Sequence, residues 1–270
     1  MRSHHEHFRC GLVTGASAGI GAEFARQLAP FCETLVLTAR RRERLVSLAE
    51  DLAEQHPDLT IHVHGADLAK DGDVDDLLKV LAKQKLIPDL VVNNAGLGDY
   101  GEFLSAEWPR IEAMLSVNVR ALTRLTHALL PAMAETGGGA VLNVSSIAGD
   151  FPIPDFAVYA ATKAYVTSFS EALRIEARPL GIRVMALCPG PVKTEFGDVA
   201  RRDPATVVPG QGDRLLQVSK EAVVAEALAA LAVGKARHYP GWKVAVSAAL
   251  IGLLPIALLR FFLGCRPHRR

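Results

Sequence analysis

Residues 14–21 read Thr14-Gly15-Ala16-Ser17-Ala18-Gly19-Ile20-Gly21, and this stretch follows a short apolar run and opens the first segment with helical periodicity. Glycines let the backbone turn tightly, let a phosphate approach the helix N-terminus and let the helix pack against the strand. In this context the turn predicts the pyrophosphate site of a dinucleotide-binding sheet. An ordinary strand-to-helix turn is the alternative, because such glycines alone are a weak signal.

Outward from this turn, short β-branched apolar runs alternate with longer segments that carry apolar residues at helical spacing. The pattern predicts an α/β fold, a Rossmann-like doubly wound parallel sheet with helices on both faces, in a single domain. We expect strands at 11–14, 34–38, 60–64, 90–93, 140–145 and 183–187, and a further strand near His238. We expect helices at 20–28, 42–55, 74–82, 111–133, 158–178 and 221–233.

The composition restricts the class of protein. The chain has 270 residues, with 30 Lys and Arg against 29 Asp and Glu, and a formal net charge of +1. This balance gives no field that favours nucleic acid as a partner. The four cysteines lack metal-ligand spacing, so we expect no metal site and a reducing compartment. The N-terminus has no apolar stretch of signal-peptide length, which predicts a cytoplasmic protein.

Two segments depart from the regular alternation. Residues 189–217 hold eight prolines and glycines, which predicts a long substrate loop at about 190–217. Loops of this length are often active-site lids, and a surface loop is the alternative. Residues 244–259 carry no charge, so we divide the chain into a catalytic domain at 1–243 and an apolar C-terminal tail at 244–270.

The end of the second predicted strand bears on the choice of dinucleotide. The chain reads Thr38-Ala39-Arg40-Arg41-Arg42 there, with no carboxylate. NAD sites place an acidic residue on the ribose 2′-hydroxyl at this point, whereas a guanidinium suits the 2′-phosphate of NADP. The run therefore predicts a preference for NADP(H) over NAD(H). A solvated helix start is the alternative interpretation of these arginines.

A second group of polar residues follows the fifth predicted strand. Ser146 comes at its end, and Tyr159 and Lys163 share one face of the next helix, one turn apart. A neighbouring ammonium favours the phenolate, so we expect Lys163 to lower the pKa of Tyr159 and make it a usable acid or base. Ser146 would hold a substrate oxygen, and Asn118 is a polar residue in an apolar helix with a specific hydrogen-bonding task.

With these motifs in order, the chain resembles the short-chain dehydrogenase/reductase family in its compact single-domain branch. The resemblance covers about residues 8–238. Its motifs are the turn at 14–21, Asp67-Leu68, Asn93-Asn94-Ala95-Gly96, Asn118, Ser146 with Tyr159 and Lys163, and Pro189-Gly190-Pro191-Val192-Lys193-Thr194. Tyr159 follows Ser146 by thirteen residues, the spacing that this branch uses.

The resemblance implies the role of each candidate residue. Tyr159 moves the proton, Lys163 also holds the nicotinamide ribose, Ser146 fixes the carbonyl and Asn118 supports a proton relay through water. The implied cofactor-binding residues are Gly15, Ser17, Gly19, Ile20, Gly21, Arg40, Asp67, Leu68, Asn94, Ala95, Gly96, Tyr159, Lys163, Pro189, Gly190, Val192 and Thr194. Asp67 would meet the adenine, residues 94–96 the adenine ribose, and Val192 and Thr194 the carboxamide.

Family properties also bear on cofactor and assembly. Arg40 falls on the NADP-selecting position, with Ala39 where NAD-preferring members carry Asp. Many NADP-preferring members also have a basic residue just before the second glycine of the turn, where this chain has Ala18. Members form dimers or tetramers through the helices that hold Asn118 and Tyr159, so we expect a homodimer or homotetramer.

The sequence leaves three functions open. The first is reduction of an apolar carbonyl compound, such as a 3-oxoacyl chain, a steroid or a long-chain carbonyl, or the reverse alcohol oxidation. The second is a dehydrogenase of small polar hydroxy acids or 3-hydroxy amino acids, which would use cations such as Lys193, Arg201 and Arg202. The third is a dinucleotide-binding regulator without turnover, which the complete Ser, Tyr and Lys set disfavours.

The tail is shorter than the roughly 20 apolar residues of a transmembrane helix and is interrupted by Gly252 and Pro255. Three interpretations stay open for it. It packs as a helix against the lid or a partner subunit, it lies in a membrane interface through residues 244–263, or it forms a marginal span.

Overall fold

A computed structural model describes residues 7–202 and 216–264. Within them, seven parallel strands form one sheet in the order β3-β2-β1-β4-β5-β6-β7. The strands are β1 Phe8–Thr14, β2 Cys32–Ala39, β3 Thr60–Gly65, β4 Leu90–Asn93, β5 Gly139–Val144, β6 Ile182–Leu187 and β7 Arg237–His238. The predicted Rossmann-like sheet is confirmed, including its seventh strand.

Helices cover both faces of the sheet. They are α1 Gly19–Leu28, α2 Arg42–Gln55, α3 Asp71–Lys83, α4 Trp108–Leu115, α5 Leu122–Glu135, α6 Ala157–Ala177, α7 Phe196–Ala200, α8 Lys220–Ala232, α9 Trp242–Leu253 and α10 Ile256–Gly264. One apolar cluster joins the sheet to α1, α2 and α8. A second joins the opposite face to α3, α5 and α6.

The apolar runs of the sequence are explained by burial on both faces of the sheet. Neighbouring residues of one strand enter opposite clusters, as Leu12 and Val13 of β1 do. Strand register then aligns equivalent residues: Leu12, Val36, Val91, Val141 and Val184 on one face and Val13, Leu37, Val92, Leu142 and Met185 on the other. Each such side chain contributes about 1.5–3 kcal/mol when fully buried.

The predicted helix at 111–133 is divided in the structure. A π-helical segment, Ser116–Ala121, separates α4 from α5, so Asn118 lies in it rather than in a continuous α-helix. The side chain of Asn118 is almost fully buried and hydrogen-bonds the loop after β4. Insertions of this kind in a helix commonly occur at functional sites.

Both irregular segments contain helices within the described residues. The predicted loop at 190–217 contains the short helix α7, and its residues 203–215 lie outside the described part of the chain. In the tail, Val244 and Ala248 of α9 are buried, while Leu250 and Leu253 are exposed. Within the described residues, none of the helices has both the length and the hydropathy that a membrane crossing requires.

Candidate active site

The strand order reverses between β1 and β4, and the carboxyl ends of these strands flank the crevice where doubly wound sheets bind ligands. Thr14 ends β1 and is almost fully buried. Its hydroxyl accepts the backbone N–H groups of Asn94 and Ala95, both at 3.0 Å. The Asn94 amide donates to the carbonyl oxygens of Thr14 and Gly15 at 2.9 and 3.3 Å. These hydrogen bonds fix the loop after β4 to the glycine turn.

The glycine turn suits a dinucleotide phosphate. Gly15 adopts a φ of +67°, and a methyl group at Gly21 would come within 2.3 Å of the Gly15 carbonyl oxygen, so neither position accepts a side chain. The N-cap of α1 is Ala18, which makes no side-chain capping hydrogen bond. The first amides of this ten-residue helix therefore suit an anion.

The end of β2 carries the arginines that the sequence singles out. Arg40 is exposed, whereas Arg41 donates to the hydroxyl of Ser17 at 3.3 and 3.4 Å. Arg41 and Arg44 also each donate to the carboxylate of Glu195 at 2.7 Å. Arg41 thus contacts the glycine turn directly, and Arg44 is joined to it through their shared partner Glu195. The role predicted for Arg40 stays a prediction.

The predicted adenine contacts lie in the loop after β3. Asp67 accepts the backbone N–H of Ala69 at 3.2 Å, and its own N–H donates to Asp73 at 2.7 Å. Leu68 is buried in the apolar cluster beneath α3. The structure therefore makes Leu68 part of the core, while Asp67 stays partly exposed at the sheet edge.

Two adjacent serines at the end of β5 have different surroundings. Ser145 is buried and donates to the carbonyl oxygen of Lys163 at 2.8 Å, which joins β5 to α6. Ser146 is partly exposed, and its hydroxyl oxygen accepts the N–H of Ala148 at 3.1 Å. Ser145 is structural in this arrangement, and Ser146 is the serine that lies beside Tyr159.

Tyr159 and Lys163 lie in the first two turns of α6, as their spacing predicts. Lys163 donates to the carbonyl oxygen of Val144 at 2.8 Å, and its Nζ lies 5.7 Å from the centroid of the Tyr159 ring. Burial lowers the pKa of Lys163 to about 8. A methyl group at Gly96 would come within 3.4 Å of the Lys163 Nζ, so the loop after β4 reaches this ammonium.

The pKa of Tyr159 differs from the sequence expectation. Burial raises it to about 12, and a hydrogen bond with Ser146 acts in the opposite direction. Burial has the larger effect because a buried phenolate would lose its hydration. In this structure burial therefore favours the neutral phenol over the phenolate.

Asn118 positions the loop after β4. Its Oδ1 accepts the N–H of Leu97 at 2.8 Å, and its Nδ2 donates to the Leu97 carbonyl oxygen at 2.9 Å. The same Nδ2 donates to Thr162 at 3.0 Å. Asn118 therefore joins α6 to the loop that contacts Lys163.

Aromatic side chains surround the Tyr159 ring. The ring centroids of Phe156 and Phe196 lie 4.6 and 5.3 Å from it, and Tyr100 packs against Phe156 at 5.3 Å. Phe196 belongs to α7, so the segment after β6 covers the candidate proton donor. The Tyr159 ring is therefore packed among aromatic side chains.

An ion-pair cluster holds the far end of α7. The buried Asp99 carboxylate accepts from Arg202 at 2.6 and 3.0 Å and from Arg110 at 2.8 Å. Burial acts to raise the pKa of Asp99, but the hydrogen bonds from Arg202 and Arg110 outweigh it and keep that pKa below its ordinary value. Asp99 is thus ionised at neutral pH and engages Arg202 through two bonds.

The segment after β6 contains the remaining predicted residues. The Pro189 carbonyl oxygen accepts the N–H of Ile147 at 3.0 Å. Val192 forms a bridge with Val218, and a methyl at Gly190 would come within 2.8 Å of Val244 in α9. Thr194 lies against the glycine turn, since a methyl at Gly19 would be 3.2 Å from its Cγ2. The segment therefore runs from the α9 side of the fold to the predicted phosphate site.

Comparison with known proteins decides the family. A family model described as short chain dehydrogenase matches residues 9–205, which span the sheet from β1 to the segment after β6. The chain belongs to the short chain dehydrogenase family. Membership makes it an NAD(P)-dependent oxidoreductase, and this agrees with the fold and with the set of polar residues at the crevice.

Relatives of this short-chain dehydrogenase act on unlike substrates. Sulfoacetaldehyde reductase 2 from Chromohalobacter salexigens is 36% identical over 71% of this chain and 78% of that protein. A very-long-chain 3-oxoacyl-CoA reductase from Phaeosphaeria nodorum is 34% identical over 73% of this chain and 58% of that protein. The structure of a short-chain dehydrogenase from Sphingobium yanoikuyae in complex with NADPH matches with a TM-score of 0.80 at 27% identity, over 97% of this chain and 98% of that one.

Sequence reasoning missed several residues that contact the candidate site of this dehydrogenase. They are Arg44, Glu195, Asp99 and the aromatic side chains of Tyr100, Phe156 and Phe196. A signal existed for Arg44, which follows Arg41 by three residues and so shares its helix face. Glu195 and the Asp99–Arg202 pair carry no such signal, because Glu195 lies 154 residues from Arg41 and Asp99 lies 103 residues from Arg202. Among the described residues, no group of His, Cys, Asp and Glu could hold a metal ion.

Proposed function

We propose that this short-chain dehydrogenase interconverts an apolar ketone or aldehyde and its alcohol, with NADP(H) as cofactor and Tyr159 as the proton-transfer residue. The observation that carries the proposal is the arrangement at the carboxyl ends of β4 and β5. There Ser146, Tyr159 and Lys163 meet beside the glycine turn, under aromatic side chains.

Proton transfer takes place at the phenol oxygen. Burial holds Tyr159 protonated at neutral pH, so its Oη donates a proton to the substrate oxygen during reduction. Ser146 lies beside that oxygen and hydrogen-bonds the substrate carbonyl, which orients it toward Tyr159. In alcohol oxidation the same Oη accepts the proton, which requires the phenolate.

Lys163 and Asn118 support this chemistry. The Lys163 ammonium has hydrogen-bonding capacity beyond its bond to Val144 and holds a ribose hydroxyl. Asn118 positions the loop at Leu97 and Gly96, which lines the same region. The nicotinamide, when bound, supplies or accepts the hydride. The sequence-predicted residues at 15–21, 67–68, 94–96 and 189–194 would hold the rest of the dinucleotide.

The choice of NADP(H) rests on Arg41 and Arg44. Both guanidinium groups lie after β2, where the ribose 2′-position of a bound dinucleotide is recognised. Arg41 also contacts Ser17 of the glycine turn. Two guanidinium groups suit a phosphate better than a hydroxyl, and the Sphingobium yanoikuyae structure in complex with NADPH is consistent with this choice.

The proposal of an apolar substrate is based on the side chains around Tyr159. Phe156, Phe196 and Tyr100 cluster with it, and two of the three cations that a small polar acid would use, Arg201 and Arg202, are paired with carboxylates. Arg202 is bound to Asp99, and Arg201 pairs with Asp198 at 2.7 Å. A dehydrogenase of polar hydroxy acids is the second candidate, which the identity to sulfoacetaldehyde reductase favours. A regulator without turnover is the third.

We also infer how the remaining chain is used. Residues 1–243 form the catalytic domain, which assembles as a homodimer or homotetramer through α5 and α6. Helices α9 and α10 expose apolar side chains, and the exposed cations Lys243 and Arg260 lie beside them. This arrangement supports peripheral contact of residues 244–263 with a membrane interface. Sedimentation of the full chain with anionic and with neutral vesicles tests this contact. If a partner subunit covers the tail instead, the protein should sediment with neither kind of vesicle.

The proposed reaction is tested by binding and turnover together. NADPH and NADH are titrated against the purified protein, and a panel of 3-oxoacyl thioesters and aliphatic ketones of increasing length is then assayed beside sulfoacetaldehyde and short 3-hydroxy acids. We expect tighter NADPH binding and a kcat/KM that rises with chain length. Preference for the short acids would establish the second candidate, and binding without turnover of any compound would establish the third.

A further inference from the structure

Residues 194–196 lie along the predicted cofactor groove. Thr194 approaches the glycine turn so closely that a methyl group at Gly19 would come within 3.2 Å of its Cγ2. Phe196 covers the Tyr159 ring at a centroid distance of 5.3 Å. One short piece of chain thus contacts both the phosphate-binding end and the reactive end of the groove.

Glu195, between these two residues, binds the arginines of the 2′-phosphate site. Its two carboxylate oxygens accept from Arg41 and Arg44, each at 2.7 Å. The hydrogen bond from Arg41 holds the pKa of Glu195 below its ordinary value, with a further contribution from Arg44. Arg41 meanwhile donates to Ser17. A carboxylate therefore occupies the guanidinium donors that a phosphate would take.

We propose that Glu195 determines cofactor specificity by competing with the 2′-phosphate of NADP(H) for Arg41 and Arg44, an inference that rests on the proposed NADP(H) use. The carboxylate and the phosphate are both anions, so holding both on the same two guanidinium groups is unfavourable. NADP(H) must displace Glu195, whereas NAD(H) has no 2′-phosphate to do so. Glu195 consequently reduces the preference for NADP(H) over NAD(H) that Arg41 and Arg44 create.

Displacement of Glu195 also reaches the reactive end of the groove. Phe196 is the next residue in the chain, so movement of Glu195 away from the arginines draws Phe196 from the Tyr159 ring. The far end of α7 stays attached through Arg202 and Asp99. Recognition of the 2′-phosphate therefore loosens the cover over Tyr159 before a carbonyl substrate enters.

Two adenosine fragments test the competition without turnover. Adenosine 2′,5′-bisphosphate and adenosine 5′-monophosphate differ only at the 2′-phosphate, and their dissociation constants are measured on the full chain and on Glu195→Gln. We expect the ratio of the two affinities to shift toward the bisphosphate by about three- to tenfold in the variant, because the two ion pairs are about half exposed. Glu195→Ala, which also removes the hydrogen-bond acceptor, shifts it at least as far.

Asp198→Asn is the matched control. It removes one negative charge from the same stretch of chain, but Asp198 pairs with Arg201 rather than with the arginines after β2. The affinity ratio should stay unchanged in this variant. An equal shift would mean that the overall charge of the segment, not its contact with Arg41 and Arg44, sets the ratio, and the proposal would be wrong.

The coupling has its own measurement. Hydrogen exchange of residues 196–200 is followed with each fragment, since neither fragment reaches Tyr159. The bisphosphate should speed exchange in the wild type, the monophosphate should not, and Glu195→Gln should remove the difference. Equal exchange with both fragments in the wild type would show that Phe196 does not follow Glu195.

The outcomes separate this inference from the proposed function. An unchanged or lowered ratio in Glu195→Gln, together with a fall in the ratio in Arg41→Ala, overturns the competition and leaves the use of NADP(H) standing. A wild type that binds both fragments equally, with no response to Arg41→Ala, overturns the NADP(H) assignment itself. A raised ratio in Glu195→Gln supports the competition whatever the wild-type preference.

Discussion

The carboxyl-end rim of β1, β4 and β5 and the segment that follows β6 are held by different forces. At the rim, the buried side chains of Thr14 and Asn118 fix the loop after β4 through hydrogen bonds to the backbone of Asn94 and Leu97. The segment after β6 is held instead by half-exposed ion pairs at Glu195 and by packing of Phe196. Buried hydrogen bonds are expensive to lose, whereas exposed ion pairs contribute little. In the proposed function, the reacting groups therefore lie on the more rigid part, and the contacts that select the cofactor lie on the part that is easier to move.

The largest expected effect tests whether the rim carries the reaction. Tyr159→Phe should lower kcat by about 10³-fold, within the usual range for loss of a general acid, while NADPH binds within about twofold of the wild type. Turnover and fluorescence titration measure the two effects. Tyr165→Phe, on the same helix with its hydroxyl bonded to Thr123, is the control and should keep wild-type turnover. Substantial activity in Tyr159→Phe would move the proton donor elsewhere.

The next effect tests the rigidity of the rim itself. Thr14→Val keeps the shape of a buried side chain but leaves the N–H groups of Asn94 and Ala95 without their acceptor. Each lost partner costs about 1–3 kcal/mol, so we expect the free energy of unfolding to fall by about 3 kcal/mol in urea titration. Thr123→Val, at an exposed hydrogen bond, should change it by less than about 1 kcal/mol. Equal losses in the two variants would remove the distinction between rim and surface.

The same distinction explains what could be predicted from sequence. The glycine turn and the spacing of Tyr159 and Lys163 are local features, because four residues always make one helical turn. Apolar runs likewise predict strands buried on both faces, as the register of Leu12 with Val36 and Val91 confirms. The glycine turn and Ser146, which follow strands, and the Tyr159–Lys163 pair, which shares a helix face, could therefore be proposed from the chain alone.

The segment after β6 could not be predicted in this way. Glu195 lies 154 residues from Arg41, and no local pattern connects them. Three consecutive arginines offer similar charge and are all exposed, and no local pattern singles out Arg41 as the one that contacts Ser17. The pKa of Tyr159 depends on burial beneath Phe196, which is a tertiary contact. Pairings of long exposed side chains are chosen by the folded surface, not by spacing.

The third effect is the pH dependence of the free energy of unfolding that the buried Lys163 causes. Burial lowers the pKa of Lys163 from 10.5 to about 8, so between these values the unfolded chain binds more protons and the free energy of unfolding rises with pH. Lys163→Met lacks this titration. The stability of the wild type relative to the variant should therefore increase by about 2 kcal/mol between about pH 7.5 and about pH 9.5.

Urea titrations of both proteins at the two pH values measure this change. The buried cysteines, whose pKa values burial raises to about 12, oppose it above about pH 9 equally in both proteins and cancel in the difference. Lys243→Met, at an exposed lysine, should show no such dependence. A difference that stays constant with pH would mean that Lys163 is hydrated in solution and that the rim is more open than its contacts indicate.

The smallest effect concerns the contact of Arg202 with Asp99, where the segment after β6 is held by a buried side chain, as the rim is. Asp99 is buried like the rim residues, yet it holds α7 through Arg202, whose side chain is 19% exposed. Asp99→Asn removes the charge and leaves one acceptor, so we expect hydrogen exchange at 196–202 to quicken about tenfold, equivalent to about 1.4 kcal/mol, with exchange in β1 and β4 unchanged. Asp198→Asn should alter exchange less, because that carboxylate is exposed. If exchange quickens in β1 and β4 as well, α7 unfolds together with the sheet, and the division into a rigid rim and a movable cover does not hold.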